Sequence, residues 1–407
     1  MQDEVITSGE THVKPKGQER KYHIWQLAYV IGFLIVVGLL LLDFIGFHMD
    51  ESIKAAIELV GGVLLIGGAC EAFVLSVEGL AHNMQLTDYV AGIYASLAST
   101  IPELFVLLFL IVGRQYEMAW ILALATIFMN SLVFALYTLV LPKDHEGNFR
   151  LPDAIHHVGS DLLTMGSVIS LSVGLSMMLV HLFPLTPGNE LISQYLDSGE
   201  LILFGFCLMI VFVAYLYRIT RYYGKIDPTS SDPLLDEHVV HDAMSWKNLG
   251  VYLFFASLGA ALGGHALSSF ANFAIDEIGL PIIHAALLLV IFGGTPEYII
   301  VASSHRKEEI EVALSNAFGG IVQVFFVIFG FTMIVSGLAG YFDPILLGHE
   351  ILPIELYSVV LLLFAFPTMF ILRAMITDDA KINALESVSM IAVFIMMLYI
   401  LLFYGGI

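Results

Sequence analysis

The chain reads as an all-α polytopic membrane protein with eleven transmembrane helices: one extra N-terminal helix, then two inverted five-helix repeats. Three observations predict this. Of the 407 residues, 58% are hydrophobic and only 13% charged, too few charges for the surface of a soluble domain. The apolar residues gather into long blocks, such as 28–42 and 391–403, that are long enough to cross a bilayer or nearly so. The Lys and Arg residues also fall in alternate loops, as the positive-inside rule requires of a multispan protein.

The spans run over about 25–47, 57–83, 88–112, 117–141, 156–183, 199–223, 247–274, 280–304, 310–340, 351–376 and 382–405. With a cytoplasmic N-terminus, fourteen of the sixteen basic residues lie inside, and only Lys54 and Arg114 lie outside. A miscounted span would scramble that asymmetry, so an odd number of spans and an outer C-terminus are expected. The polar start carries Lys14, Lys16, Arg20 and Lys21 and no cleavable signal, so the first span is expected to act as a signal anchor.

These spans divide the chain into a cytoplasmic tail (1–24), the extra helix (25–47), a first repeat (57–224), an acidic cytoplasmic linker (225–246) and a second repeat (247–407). The linker reads as a solvated connection. The net charge of −21 has the wrong sign for binding nucleic acid. Cys70 and Cys207 lie in apolar segments without metal-ligand spacing and read as buried thiols. His156, His157 and Asp161 resemble a metal group only superficially, because adjacent histidines point to different helix faces.

Five spans per half place the halves in opposite orientations, the plan of many secondary transporters. Setting Glu103 over Glu297 without a gap also pairs Ala72 with Ala266, Leu86 with Leu280, Ala91 with Ala285 and Pro102 with Pro296. Each Pro-Glu pair sits inside an apolar segment in the second span of its half: Ala98-Ser-Thr-Ile-Pro-Glu103 and Phe292-Gly-Gly-Thr-Pro-Glu297. Proline removes a backbone donor and frees a carbonyl one turn earlier. At membrane depth that carbonyl must face protein or a water-filled cavity. Both Pro102 and Pro296 are therefore expected to break their helices beside the carboxylates. One such glutamate alone would fit a kinked helix with a protonated, hydrogen-bonded side chain. Two at matching positions favour function, since intramembrane carboxylates are costly.

The next span of each half carries an amide. Asn130 lies 27 residues after Glu103, and Gln323 lies 26 after Glu297. An antiparallel neighbour would bring both amides to the depth of the carboxylates. Two carboxylates with amide, hydroxyl and carbonyl oxygens form a hard, oxygen-only site of the kind calcium prefers. Ser99, Thr100 and Thr295 are the hydroxyl candidates for that site. Glu71 and Glu78 lie seven residues apart in span 2, and their counterparts in span 7 are His265 and Asn272. These four, with Thr126, are candidates for a proton or ion path; structural hydrogen bonding is the equal alternative.

At these residues the chain resembles the cation/calcium exchanger superfamily, whose two alpha-repeats each carry a Gly-Thr-Ser-Leu-Pro-Glu-like motif. The resemblance covers about 60–140 and 255–335. It implies ten core helices and alternating access to a midplane cation held by Glu103 and Glu297. The second half has Gly293 and Gly294 where the family's hydroxyls would stand, and Gln323 stands at a position that is often acidic in sodium-driven members. These departures and the span count resemble the cation/proton branch more closely. The resemblance thus implies a calcium/proton antiporter of the cell membrane, with transported calcium, coupling protons and lipid as its partners and no bound cofactor. A sodium/calcium exchanger on the same fold is the alternative. An intramembrane enzyme is disfavoured, because the chain has no His-Glu-x-x-His and no nucleophile elbow. The charge asymmetry predicts that epitopes placed at the N-terminus and within 225–246 react with antibody only in permeabilised cells. A C-terminal epitope should react in intact cells.

Overall fold

The computed structural model describes residues 24–84, 86–152, 155–182, 195–223, 244–306 and 310–404. The predicted N-terminal tail and most of the 225–246 linker lie outside the described residues. Helix follows helix. The first half contains α1 (Ile24–Phe44), α2 (Glu51–Asn83), α3 (Asp88–Val112), α4 (Tyr116–Val140), α5 (Ser160–Leu182) and α6 (Ser198–Tyr223). The second half contains α7 (Trp246–Asp276), α8 (Ile282–Gly293), α9 (Thr295–Arg306), α10 (Ile310–Gln323), α11 (Phe329–Phe342), α12 (Leu356–Asp379) and α13 (Ala384–Tyr404). One π-helical turn, Ile155–Gly159, leads into α5, and another, Val324–Ile328, joins α10 to α11.

Among the described residues, ten helical segments are long and apolar enough to cross a membrane, and the apolar stretch of α13, Ala384–Tyr399, is shorter. The sequence placed every one of these segments, with ends shifted by a few residues. Four short strands were not expected. β1 (Asn148–Arg150) pairs antiparallel with β4 (Lys381–Asn383), and β2 (Tyr195–Leu196) pairs with β3 (Leu352–Pro353). They tie loops of one half to loops of the other.

The two halves are related by an exchange that the packing makes visible. If α2 corresponds to α7, α3 to α8 and α9, α4 to α10 and α11, α5 to α12 and α6 to α13, most contacts between halves have a counterpart. The α2–α7 and α5–α12 pairs map onto themselves. The packing of α3 on α10 answers that of α8 on α4, and α6 on α11 answers α13 on α4. The β1–β4 pair maps onto β3–β2. This is the contact pattern of an inverted repeat with one pseudo-two-fold axis. The extra helix α1 lies outside it, packed on α2 and α7.

Loop contacts agree with the alternation of spans. Lys54 pairs with Asp43 at 2.8 Å and Arg114 with Asp343 at 3.0 Å, all in loops or helix ends on one predicted side. Asp161 and Arg218, 2.8 Å apart, lie on the other side.

Burial follows position in the bundle. Helix α4 is buried nearly all round, with Trp120, Phe128 and Phe134 fully enclosed, as expected of a helix at the centre of a membrane bundle. Helices α1, α5, α6 and α13 expose Leu34, Val168, Leu203, Ile210 and Ile395, which suits contact with lipid rather than water.

The α2–α7 crossing is close because glycines line it. A Cβ on Gly263 would stand 2.7 Å from Ile66 Cγ1 and 3.2 Å from the Gly62 carbonyl oxygen. Small residues at such a crossing let membrane helices approach and gain dispersion contact. Gly263→Leu is therefore expected to lower stability by about 1–3 kcal/mol through overpacking, read as a lower melting temperature in detergent than that of a surface control such as Gly38→Leu.

Candidate functional site: two carboxylates between the repeats

The two Pro-Glu segments fold differently. In the second half, α8 ends at Gly293, Gly294 caps it, and α9 starts at Thr295. Proline suits a helix start, where its missing donor would have had no partner. Pro296 and Glu297 therefore occupy the first turn of α9, where the positive end of the helix dipole favours a carboxylate. The expected break is present there. In the first half it is not: α3 runs unbroken through Pro102, which corrects the expectation for that residue. A single proline removes one rung of the ladder. With no glycines like Gly293 and Gly294 to turn the chain, opening further rungs in a membrane would cost more than the kink relieves.

The bundle brings the two carboxylates together. Glu103 on α3 and Glu297 on α9 lie within electrostatic reach of one another. Glu297 is 6% exposed, and Glu103 is half-buried. Asn130 on α4 donates from Nδ2 to Glu297 Oε2 at 3.1 Å, so the amide of the first half serves the glutamate of the second. Ser99 on α3 also lies near the Glu297 carboxylate. Ser99, Thr100, Thr126 and Thr295 each donate their hydroxyl proton to a carbonyl of their own helix, at 2.7–2.8 Å. The hydroxyl oxygens keep lone pairs for other partners.

The symmetric role expected of Gln323 does not form. Gln323 is fully buried, but its Oε1 accepts from Ser96 Oγ at 3.1 Å and its Nε2 donates to the Ile93 carbonyl at 3.2 Å. It ties α10 to α3, so in this structure its polar atoms serve as an interhelical tie and do not mirror the Asn130–Glu297 bond. An amide finding both partners on a neighbouring helix is a common way to join membrane helices.

Asn316, two helical turns before Gln323, is the residue that sequence reasoning missed. A pocket between α4, α9 and α10 is lined by Asn130, Val133, Glu297, Tyr298, Val301 and Asn316. Three side-chain oxygens there, Glu297 Oε1, Asn130 Oδ1 and Asn316 Oδ1, are buried without a hydrogen-bond partner. Leaving such groups unsatisfied is expensive, and a hard cation is the partner that suits three oxygens with no donor among them. The available signal was a second amide, Asn316, in the apolar span that follows Glu297. A second pocket holds Glu103 with Thr126 and Gly293 among apolar side chains such as Val106, Leu107 and Leu289.

Of the path candidates, Thr126 lines the Glu103 pocket, and Glu71, Glu78, His265 and Asn272 line neither pocket. His265 on α7 is exposed and packs edge-on against Phe109, with ring centroids 5.4 Å apart, and it lies within electrostatic reach of buried Glu58. Asn272 is near Gly113, and its Oδ1 is buried without a partner. Glu71 and Glu78 are half-buried on α2. Asp161 pairs with Arg218, and His156 and His157 pack ring to ring.

Residues 248–403 match the sequence profile of the family described as "Sodium/calcium exchanger protein". No curated protein matches the chain in a direct sequence comparison. Among solved structures, the H+/Ca2+ exchanger CAX superposes with a TM-score of 0.66 at 13% identity, over 92% of this chain and 88% of that one. Native YfkE gives 0.57 at 16% identity, over 90% and 98%. The sodium-calcium exchanger NCX_Mj, soaked with 10 mM Na+ and 10 mM Sr2+, gives 0.55 at 13% identity, over 85% and 98%. At these identities the likeness to the solved structures is one of fold.

The close approach of α10 to the carboxylates supplies a test. A Cβ on Gly320 would stand 2.9 Å from Asn130 Nδ2 and 3.5 Å from Glu297 Oε2. Gly320→Ala should displace that amide and weaken divalent-cation binding by roughly ten- to a hundredfold, measured by calorimetric titration of the purified protein.

Proposed function

We propose that this protein is a secondary active antiporter that exchanges calcium for protons across a membrane, a reading supported by the match of residues 248–403 to the family described as "Sodium/calcium exchanger protein" and by the fold shared with solved exchangers. The observation that carries the reading is the site itself. Two carboxylates from opposite repeats lie within reach of each other, and Glu297 Oε1 shares its pocket with two further partnerless buried oxygens, Asn130 Oδ1 and Asn316 Oδ1. In this reading Glu103 and Glu297 are the principal calcium ligands, and Asn130 and Asn316 complete the oxygen shell. Ser99, Thr100 and Thr295 border it.

Protons are the proposed coupling ion because the second half supplies little to hold sodium. Gly293 and Gly294 stand where hydroxyls stand in the first half, and Gln323 is bound to α3. The same carboxylates then bind either calcium or protons, and a proton bound to one favours release of the cation. One observation favours sodium instead: the Ser99 hydroxyl lies near Glu297 and could join a sodium shell.

Purified protein in liposomes tests both readings. An imposed pH gradient without sodium should drive calcium uptake, and a sodium gradient at equal pH should not. The reverse result assigns sodium as the coupling ion. Glu103→Gln and Glu297→Gln should each lower flux by ~100-fold or more, and intact flux in either variant would remove the basis of the proposal. Because protons and calcium compete, calcium affinity should fall as pH falls. The decrease should reach about tenfold per pH unit for each proton displaced.

A further inference from the structure

Beyond the Glu297 pocket, between α4 and α9, two aromatic side chains meet. On α9, Tyr298, Val301 and His305 follow Glu297 along one face at helical spacing; on α4, Val133 and Tyr137 follow Asn130 in the same way. Val133, Tyr298 and Val301 line the pocket. One turn further, Tyr137 and His305 meet edge-on, with ring centroids 5.6 Å apart and planes at 90°. Their polar atoms, Tyr137 Oη and His305 Nδ1, are 3.5 Å apart. At 1.5 Å per residue, this pair sits about 10–12 Å from Asn130 and Glu297 along the helix axes.

The backbone explains why side chains must fill this space. Helix α4 packs closely on α8, but past the break at Gly294 the α9 backbone makes no comparable contact with α4 among the described residues. Toward the end of the bundle that the basic residues mark as inner, backbone packing on α4 is therefore looser than it is along α8. Tyr137 is 6% exposed and His305 is half-buried, so the rings fill the gap rather than hang at the surface. Around Glu103 the pocket wall is mainly apolar, with Val106, Leu107, Leu289 and Ile328 among its side chains and, among the described residues, no aromatic pair. The two pockets therefore have different surroundings.

We propose that Tyr137 and His305 form the inner gate of the ion route. While the rings touch, the Glu297 pocket is sealed from the inner face; when α9 swings about the Gly294 break, the rings part and the pocket opens. A weak polar contact with an edge-on ring pair suits this task, since it holds a closed state without making it permanent. The proposal rests on reading the pocket as the transported-ion site, but its test needs no calcium.

A reporter cysteine, Ala317→Cys, is placed in the pocket wall of the full-length chain with Cys70 and Cys207 changed to alanine. A membrane-impermeant thiol reagent is then applied to each side of liposomes of known protein orientation. Tyr137→Ala and His305→Ala should each raise the labelling rate from the α9 C-terminal side by about five- to tenfold, the change expected from losing one edge-on ring pair. Labelling from the other side should stay constant. Tyr137→Phe, which keeps the ring, should label at close to the parent rate, and it guards against reading misfolding as opening. Alanine variants that label at the parent rate, or that label faster from both sides alike, would overturn the gate. Absence of calcium flux in the parent protein, with the labelling pattern as expected, would count against the transport reading and leave the gate standing.

Discussion

The structure depends on one constraint: two carboxylates must be held out of bulk water, within reach of each other, in a chain whose surroundings offer no solvent to either. Ionised groups in such a place need oxygen-binding cations, protons or hydrogen-bond donors as partners. The fold meets that need by crossing the repeats. Glu297 of the second half takes its donor from Asn130 of the first, and Asn316 closes the pocket from α10. Small residues make the crossing possible, because any side chain on Gly320 would collide with the amide that Glu297 uses.

The pseudo-two-fold axis organises the bundle but does not make its halves equal. Packing partners exchange across it, and so do the strand pairs that lock the loops. The sites do not. One Pro-Glu segment starts a helix after a break, and the other sits inside a continuous one. One amide touches a carboxylate, and its counterpart joins two helices. The Glu297 pocket has polar walls, while the Glu103 pocket has mostly apolar ones. Under the proposed transport reading, alternation between two faces can use such a difference. Each half-site then meets water through a different closure, and the two faces need not open with equal ease.

The bundle also explains where polar residues away from the site belong. Glu58 and His265 lie together on α2 and α7, away from the pockets, in the group that includes α1. The Arg218–Asp161 pair caps an otherwise apolar cleft between α5 and α6. Neither requires a role in ion binding, and both follow the rule that charges in membrane helices find partners.

The sequence by itself determined what depends on composition and period. Long apolar blocks could only be membrane helices, because backbone groups in lipid must be satisfied within each segment. The basic residues gave an expected side for each loop, and the two Pro-Glu pairs marked matching positions in the halves. Glu103, Glu297 and Asn130 were therefore legible before any coordinate was known. Tertiary structure alone decided the rest. The equal spacing of Asn130 and Gln323 suggested equal roles, but distance along a chain does not say which neighbour lies opposite a helix face. That Ser96 and the Ile93 carbonyl capture Gln323, that Asn316 takes the open place in the pocket wall, and that α3 survives its proline each depend on which side chains the packed bundle sets face to face.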